Sequence, residues 1–256
     1  MGGLLRYCGR NSIKPRLKGI LCPLAWALPG VSLTFLIGVT MQQTILFAIP
    51  QSRLTKKLAL SVAGNLGKPS KMPGFTYGIS AKLCNVGAKL AKIKGSVCHD
   101  CYALKSNYQY PSVQISHQKR QEGLASISWV DSMTKLIGDS KTDYFRWHDS
   151  GDLQSFGHLL DIVKIADRLK NVKFWIPTRE KKIINQYLET FGKFPDNLCV
   201  RVSAAMIDGK EPENFENTST VLSTEGSCPA PKQGNKCADC RNCWDKSIKN
   251  VSYTLH

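Results

Sequence analysis

Residues 143–152 read Asp-Tyr-Phe-Arg-Trp-His-Asp-Ser-Gly-Asp, an aromatic-rich run that stops at a small polar turn. Asp143–His148 has the composition of a strand, and Asp149-Ser-Gly-Asp152 is the turn that ends it. Phe156, Leu159, Leu160, Val163, Ala166 and Leu169 then keep helical spacing on one face. The unit repeats. Val172–Pro177 reads as a strand, Thr178 as a helix N-cap, Lys181–Phe191 as a helix that Gly192 ends, and Leu198–Ala204 as a third strand. Strands recurring near the roughly 30 residues of a right-handed parallel crossover unit predict an α/β sheet or barrel.

Working outward, Phe75–Leu83 predicts a strand delivering Cys84, and Leu58–Gly78 is rich in Gly, Pro, Lys and Asn, which marks loop. Apolar positions from Val113 to Leu136 predict a helix broken near Gly123. Downstream, 207–218 is polar loop, Ser219–Ser223 a further strand, and Val251–His256 closes the chain.

The 256 residues are enough for a substantial core, and 42% hydrophobic with 21% charged residues excludes a disordered chain. The net charge of +16 is uneven: the first 99 residues hold fourteen Lys and Arg and no Asp or Glu. A basic front of this kind suits nucleic acid, anionic lipid or a targeting role. Residues 1–57 form a basic and apolar extension and 58–256 the α/β domain. Residues 19–52 are uncharged, long enough to span a bilayer but interrupted by Pro23, Pro29 and Gly30. A membrane contact through 19–50, a transit peptide, and a native start at Met41 that leaves 1–40 outside the protein are the three readings.

Ten cysteines cluster rather than spread, which speaks against a secreted disulfide framework and for metal in a reducing compartment. Cys228, Cys237, Cys240 and Cys243 lie in sixteen residues, three of them in a C-x2-C-x2-C rhythm and the fourth followed by proline. That spacing suits an iron–sulfur cluster; four-cysteine zinc is the alternative. Cys84, Cys98 and Cys101 make a second group. Three thiolates on a [4Fe-4S] cluster leave one iron open, four saturate it, so the front trio would be reactive and the tail at 228–244 auxiliary or structural. A rival partition is one zinc held by Cys98, Cys101, Cys240 and Cys243, with His99 lining the loop.

Loops at the carboxyl ends of parallel strands converge, and here they are polar. The first end carries Arg146, His148, Asp149, Ser150, Gly151 and Asp152, the second Thr178, Arg179 and Glu180, the third Arg201 and Ser203. Alternation predicts Arg146 with His148 on one strand face, and Arg201 with Ser203. Three arginines fit a carboxylate or phosphate, or else pair with Asp149, Asp152 and Glu180 as a buried ion network. Asp149-Ser-Gly-Asp152 could hold an ammonium group or a metal, or cap the helix after it. His148 is a candidate general base.

The chain resembles the phage and plasmid "gene product 88" domain proteins. The resemblance rests on Cys98-His-Asp-Cys-Tyr-Ala103, Phe145-Arg-Trp-His-Asp-Ser-Gly-Asp152, Trp175-Ile-Pro-Thr-Arg-Glu180, Val200-Arg-Val-Ser203 and the closing cysteines, over about residues 58–256. More distantly the order is similar to radical S-adenosylmethionine enzymes, with C-x13-C-x2-C in place of C-x3-C-x2-C and Tyr102 after the last cysteine. That likeness implies a partial parallel (β/α) barrel with a cysteine-rich C-terminal metal-binding tail. It implies one or two [4Fe-4S] clusters, with S-adenosylmethionine held by Asp149, Ser150, Gly151, Asp152 and Ser203. Arg146, His148, Asp149, Asp152, Arg179, Glu180 and Arg201 would serve catalysis on a nucleotide, nucleic acid or peptide, with an electron donor as partner. The expected compartment is the cytoplasm, that of the host if phage-encoded, with an N-terminal membrane anchor as the alternative. A noncatalytic zinc protein with a basic nucleic-acid-binding face is the competing function.

Overall fold

The computed structural model describes residues 51–255. The proposed membrane contact, the alternative start and most of the N-terminal extension lie outside them. Among the described residues no helix is long and apolar enough to cross a membrane.

Six strands, β1 (Phe75–Tyr77), β2 (Tyr144–Trp147), β3 (Lys173–Thr178), β4 (Leu198–Ile207), β5 (Thr218–Leu222) and β6 (Asn250–Thr254), form one sheet whose spatial order is the chain order. Every adjacent pair is parallel. The sheet is open, with β1 and β6 as its edges. Parallel pairing requires crossovers. The helix α1 (Lys56–Ala63) precedes the sheet; α2 (Asn85–Leu90), α3 (Pro111–Gly123) and α4 (Trp129–Asp139) join β1 to β2; α5 (Phe156–Arg168) and α6 (Lys181–Phe191) make the next two connections.

Alternation gives the sheet two different faces. Phe145 and Trp147 of β2, Phe174 and Ile176 of β3, and Leu198, Val200 and Val202 of β4 share one core with apolar residues of α1, α4, α5 and α6. The other face carries Arg146 beside Trp175, and Trp175 beside Cys199, in register. The tail covers this second face. Trp244 is buried there, donates from Nε1 to the Phe145 carbonyl at 3.0 Å, and meets Tyr144 and Trp175 edge-on.

The helix ends follow local chemistry. Ser155 accepts from the His158 amide at 3.1 Å and starts α5. Gly192, at φ +80°, ends α6 with its amide on the Leu188 carbonyl. Thr178 closes β3 instead of capping α6, and Glu180 takes the cap position.

Three expectations need correction. Leu58–Gly78 is not all loop: Thr55 caps α1, whose Ala59 and Ala63 are small enough to bury it against α4. The Gly and Pro punctuation begins only at Gly64. β1 stops at Tyr77, so Cys84 is reached through a bend and the 3₁₀ turn Ala81–Leu83, not along a strand. The segment between Cys84 and Cys98, for which the sequence predicted no element, contains α2. The break near Gly123 is found, between α3 and α4, where a side chain at Gly123 would meet the Val62 carbonyl.

Candidate active site at the carboxyl ends of the strands

Cys84 is the residue before α2 and Cys101 the residue before the 3₁₀ turn Tyr102–Leu104. These turns bring Cys84, Cys98 and Cys101 into one electrostatic group. Burial, then the Asp152 carboxylate and the Cys101 and Cys98 thiols, pushes the Cys84 thiol up to about 12. Cys98 is raised as well, mainly by burial, with Arg179 working against it. Gly87 explains how two sulfurs fit under α2. A Cβ there would lie 2.9 Å from Cys84 Cβ, 3.5 Å from its Sγ and 3.6 Å from Cys98 Sγ.

The Asp149–Asp152 turn sits against the exit of β1. The Ile79 amide donates to the Ser150 carbonyl at 3.0 Å. Two glycines make this approach feasible. Gly151 has φ +79°, and a Cβ on it would fall 2.5 Å from Ile79 Cγ1; one on Gly78 would strike Asp149 Oδ1 and the Ser150 carbonyl. The Asp149 carbonyl accepts from Tyr102 at 2.8 Å and Tyr108 at 3.3 Å, fastening the turn to the cysteine loop. Asp149 Oδ1 and Ser150 Oγ are buried with no hydrogen-bond partner in the protein.

Asp152 is occupied structurally. It accepts from the Leu153 amide at 2.8 Å, Thr178 Oγ1 at 2.6 Å and the Arg179 amide at 2.8 Å, joining the ends of β2 and β3. Burial pushes it up to about 6, and the three donors hold it below where burial alone would place it. Glu180 accepts from the Val86 amide at 2.9 Å, so it anchors the start of α2 and thereby Cys84.

His148 departs from the expected alternation. Its φ of +55° ends β2 and turns the ring away from Arg146's face to the core side, edge-on to His158 of α5 at 5.4 Å. Burial, then His158 and Arg146, holds its pKa well below the usual imidazole range. Neither ring nitrogen has a protein partner. The ring makes no hydrogen bond to the other strand-end residues.

The three arginines do not form the expected ion network: among the described residues none of them makes an ion pair. Arg201 is fully buried and its guanidinium is taken by six carbonyls, those of Thr218, Asn242, Cys243, Asp245, Ile248 and Lys249. It is a clamp on the tail. Ser203, on the same face as expected, is paired with Ser219 at 2.9 Å. Arg146 differs: it stacks 4.6 Å over Trp175, reaches Tyr102 Oη only at 3.5 Å, and leaves a buried Nε without a partner. Arg179 Nε is likewise buried and unpartnered.

The tail thiols form their own group. Cys237 is raised by burial, then by Cys228 and Cys240; Cys243 is pushed up to about 12 by burial while accepting or donating a 3.3 Å contact with Tyr253 Oη. The Cys84 thiol feels Cys98 and Cys101, and the Cys237 thiol feels Cys228 and Cys240. Among the described residues no three His, Cys, Asp or Glu side chains converge as a site for a single metal ion. His99 lies at the surface with Nδ1 3.0 Å from the Ala91 carbonyl. Gly78, Gly87, Tyr108 and Tyr253 were not singled out by sequence; the glycine directly after β1 was the one available signal.

No curated protein and no solved structure matches the chain. A family model described as Gene product 88 matches residues 50–246, which include all seven candidate ligand cysteines and the strand ends of β1–β4. The chain belongs to the Gene product 88 family.

Proposed function

We propose that the protein is an iron–sulfur enzyme of the radical S-adenosylmethionine type, acting in the cytoplasm on an anionic substrate such as a nucleotide or nucleic acid. The observation that carries the reading is the grouping of Cys84, Cys98 and Cys101 beside the Asp149–Asp152 turn, at the carboxyl ends of parallel strands laid down in chain order. The donors are soft thiols, which suit iron. The missing side chain of Gly87 leaves room against two of the sulfurs. Ligands to a cluster are spread over its corners, so they need not meet at one point as zinc ligands must. Curvature of the open sheet into a partial barrel belongs to the same reading.

When bound, a cluster with one open iron together with S-adenosylmethionine supplies reductive cleavage to a carbon radical that abstracts hydrogen from a substrate. The chain's own residues hold and orient. Cys84, Cys98 and Cys101 are the ligands, and Glu180 fixes the turn that presents Cys84. Asp149 Oδ1 and Ser150 Oγ, buried and unpartnered, accept an ammonium group, while Asp152 keeps the turn in place. Arg146 and Arg179 receive carboxylate or phosphate, which the guanidinium fork matches. Cys228, Cys237, Cys240 and Cys243 hold an auxiliary site.

Anaerobic purification followed by iron, sulfide and zinc analysis tests this. Iron with acid-labile sulfide is expected; stoichiometric zinc without sulfide would overturn it. Cys98→Ala should abolish cleavage of S-adenosylmethionine, whereas Cys240→Ala should mainly lower stability.

A further inference from the structure

A crevice beside the front cysteine loop opens at the carboxyl ends of β4 and β6. Ile207, the last residue of β4, and Leu255, directly after β6, line it together with residues of the loop from Asp100 to Tyr108. Ser96 and Val97 also line it, and they are fixed to the end of β4. The Val97 amide donates to the Ala205 carbonyl at 2.9 Å and the Ile207 amide to the Gly95 carbonyl at 3.0 Å, so this segment runs antiparallel to the strand. The cavity is about 500 Å³, within the roughly 300–1,000 Å³ of small-ligand sites, and it lies where open parallel sheets take their ligands.

The lining describes the ligand. Tyr102 is 59% exposed, yet its hydroxyl is tied to the Asp149 carbonyl at 2.8 Å and its ring meets that of Tyr108 edge-on at 5.8 Å. A ring that is both exposed and tied is a flat apolar face that needs little further ordering when something lies on it. The charges in the lining cancel, because Asp100 and Lys105 pair at 2.9 Å. Ser106 and Asn107 line the cavity with side chains that make no hydrogen bond to the described residues. An aromatic face, aliphatic surface from Ile207 and Leu255, and an amide and a hydroxyl open to hydrogen bonding suit an uncharged planar group with polar edges. A nucleobase is such a group.

The same surface continues past the cavity. Tyr110, at the start of α3, is also 59% exposed and offers a second ring to a neighbouring base. Residues 102–121 contain no Asp or Glu, and Lys119 is exposed and outside any ion pair among the described residues. Phosphates running along this strip therefore meet none of its own carboxylates. A duplex keeps its bases stacked on one another and has no free face for either tyrosine, whereas a single strand does.

We propose that the crevice takes one unstacked base of a single-stranded nucleic acid, laid on the ring of Tyr102. The proposal rests on reading the substrate as a nucleotide or nucleic acid, and it narrows that class to a single-stranded polymer.

The test uses the full chain and the fluorescence anisotropy of a labelled mixed-sequence oligonucleotide, single-stranded or annealed to its complement. The single strand should bind at least ~10-fold more tightly than the duplex, and Tyr102→Ala should weaken it at least ~5-fold, the loss of one stacked base. Tyr102→Phe keeps the face and gives up the tie to Asp149, and should stay within ~2-fold of wild type. Equal losses in the two variants would assign the effect to the tie and overturn the proposal. So would an unchanged affinity in Tyr102→Ala, a preference for duplex, or displacement of the single strand by S-adenosylhomocysteine, which would give the crevice to the cofactor. Iron and sulfide analysis decides the cluster separately. An iron-loaded protein that binds no oligonucleotide removes the crevice alone; an iron-free protein that binds it through Tyr102 removes the enzyme and keeps the crevice.

Discussion

Arg146 and Arg201 lie on the same face of the sheet and meet opposite fates. Arg201 is surrounded by carbonyls of the tail, and without it those of Asn242, Asp245 and Ile248 would each keep only one other donor. Arg201→Met keeps the volume and removes every donor, and should cost about 3 kcal/mol or more, read as a lower urea midpoint. Arg146 has an aromatic floor and an open Nε, so its contribution to the fold is smaller. Arg146→Lys should leave the urea midpoint within about 1 kcal/mol of wild type while weakening substrate binding, because an ammonium neither stacks on Trp175 nor forks onto an anion. If Arg146→Lys destabilises as much as Arg201→Met, the distinction between clamp and binding residue fails.

At the scale of elements, the junction of β2 with α5 buries two imidazoles. Burial lowers His158 to about 4, and burial, then His158 and Arg146, holds His148 well below its ordinary value. Both folded values lie below the unfolded one near 6.5. The unfolded chain then binds more protons, so this stability is present above pH ~6.5 and is lost as pH falls toward ~4. Asp152 has the opposite sign: raised to about 6, it favours folding at low pH and loses that contribution as pH rises through 6. Two histidines outweigh one aspartate, and the urea midpoint should fall between pH 7 and pH 4.5. His158→Phe should flatten that fall, and an unchanged slope would remove His158 from the account.

The same junction marks what sequence could and could not tell. Alternation predicted Arg146 and His148 on one face; β2 is regular through Trp147 and holds Arg146 on the face opposite Phe145 and Trp147. One left-handed residue, His148, then reversed the side on which the next ring falls, and no pattern of period two announces that. The Ser155 start of α5 was not read and the Thr178 cap of α6 was misplaced, while helix α5 was legible from its apolar spacing and α6 from its Gly192 stop. Short α1 and α2 were not: α1 is stabilised by burying alanines against a distant helix, and α2 by a contact from Glu180, ninety-four residues away. The cysteines were legible as ligand candidates, but their partition depends on turns that only the folded chain brings together.

For the whole molecule, Trp244 is the pin between tail and sheet. Trp244→Ala should cost about 3–5 kcal/mol, since a buried ring leaves a cavity between Tyr144 and Trp175. Circular dichroism should still report the helices, which pack on the opposite face. A variant that keeps its wild-type urea midpoint would mean that the tail is held by Arg201 alone.

Strand order that follows chain order has a consequence in time. Each new strand finds its partner in the one made just before it, so the sheet can grow in the direction of synthesis. The tail breaks this rule: Trp244 and the carbonyls clamped by Arg201 come from the last segment made and return to strands completed long before. Until that segment arrives, Arg146, Trp175 and Arg201 face solvent. The front thiols, all present by residue 101, therefore exist in the nascent chain well before the tail can close over the face that carries Arg146 and Trp175.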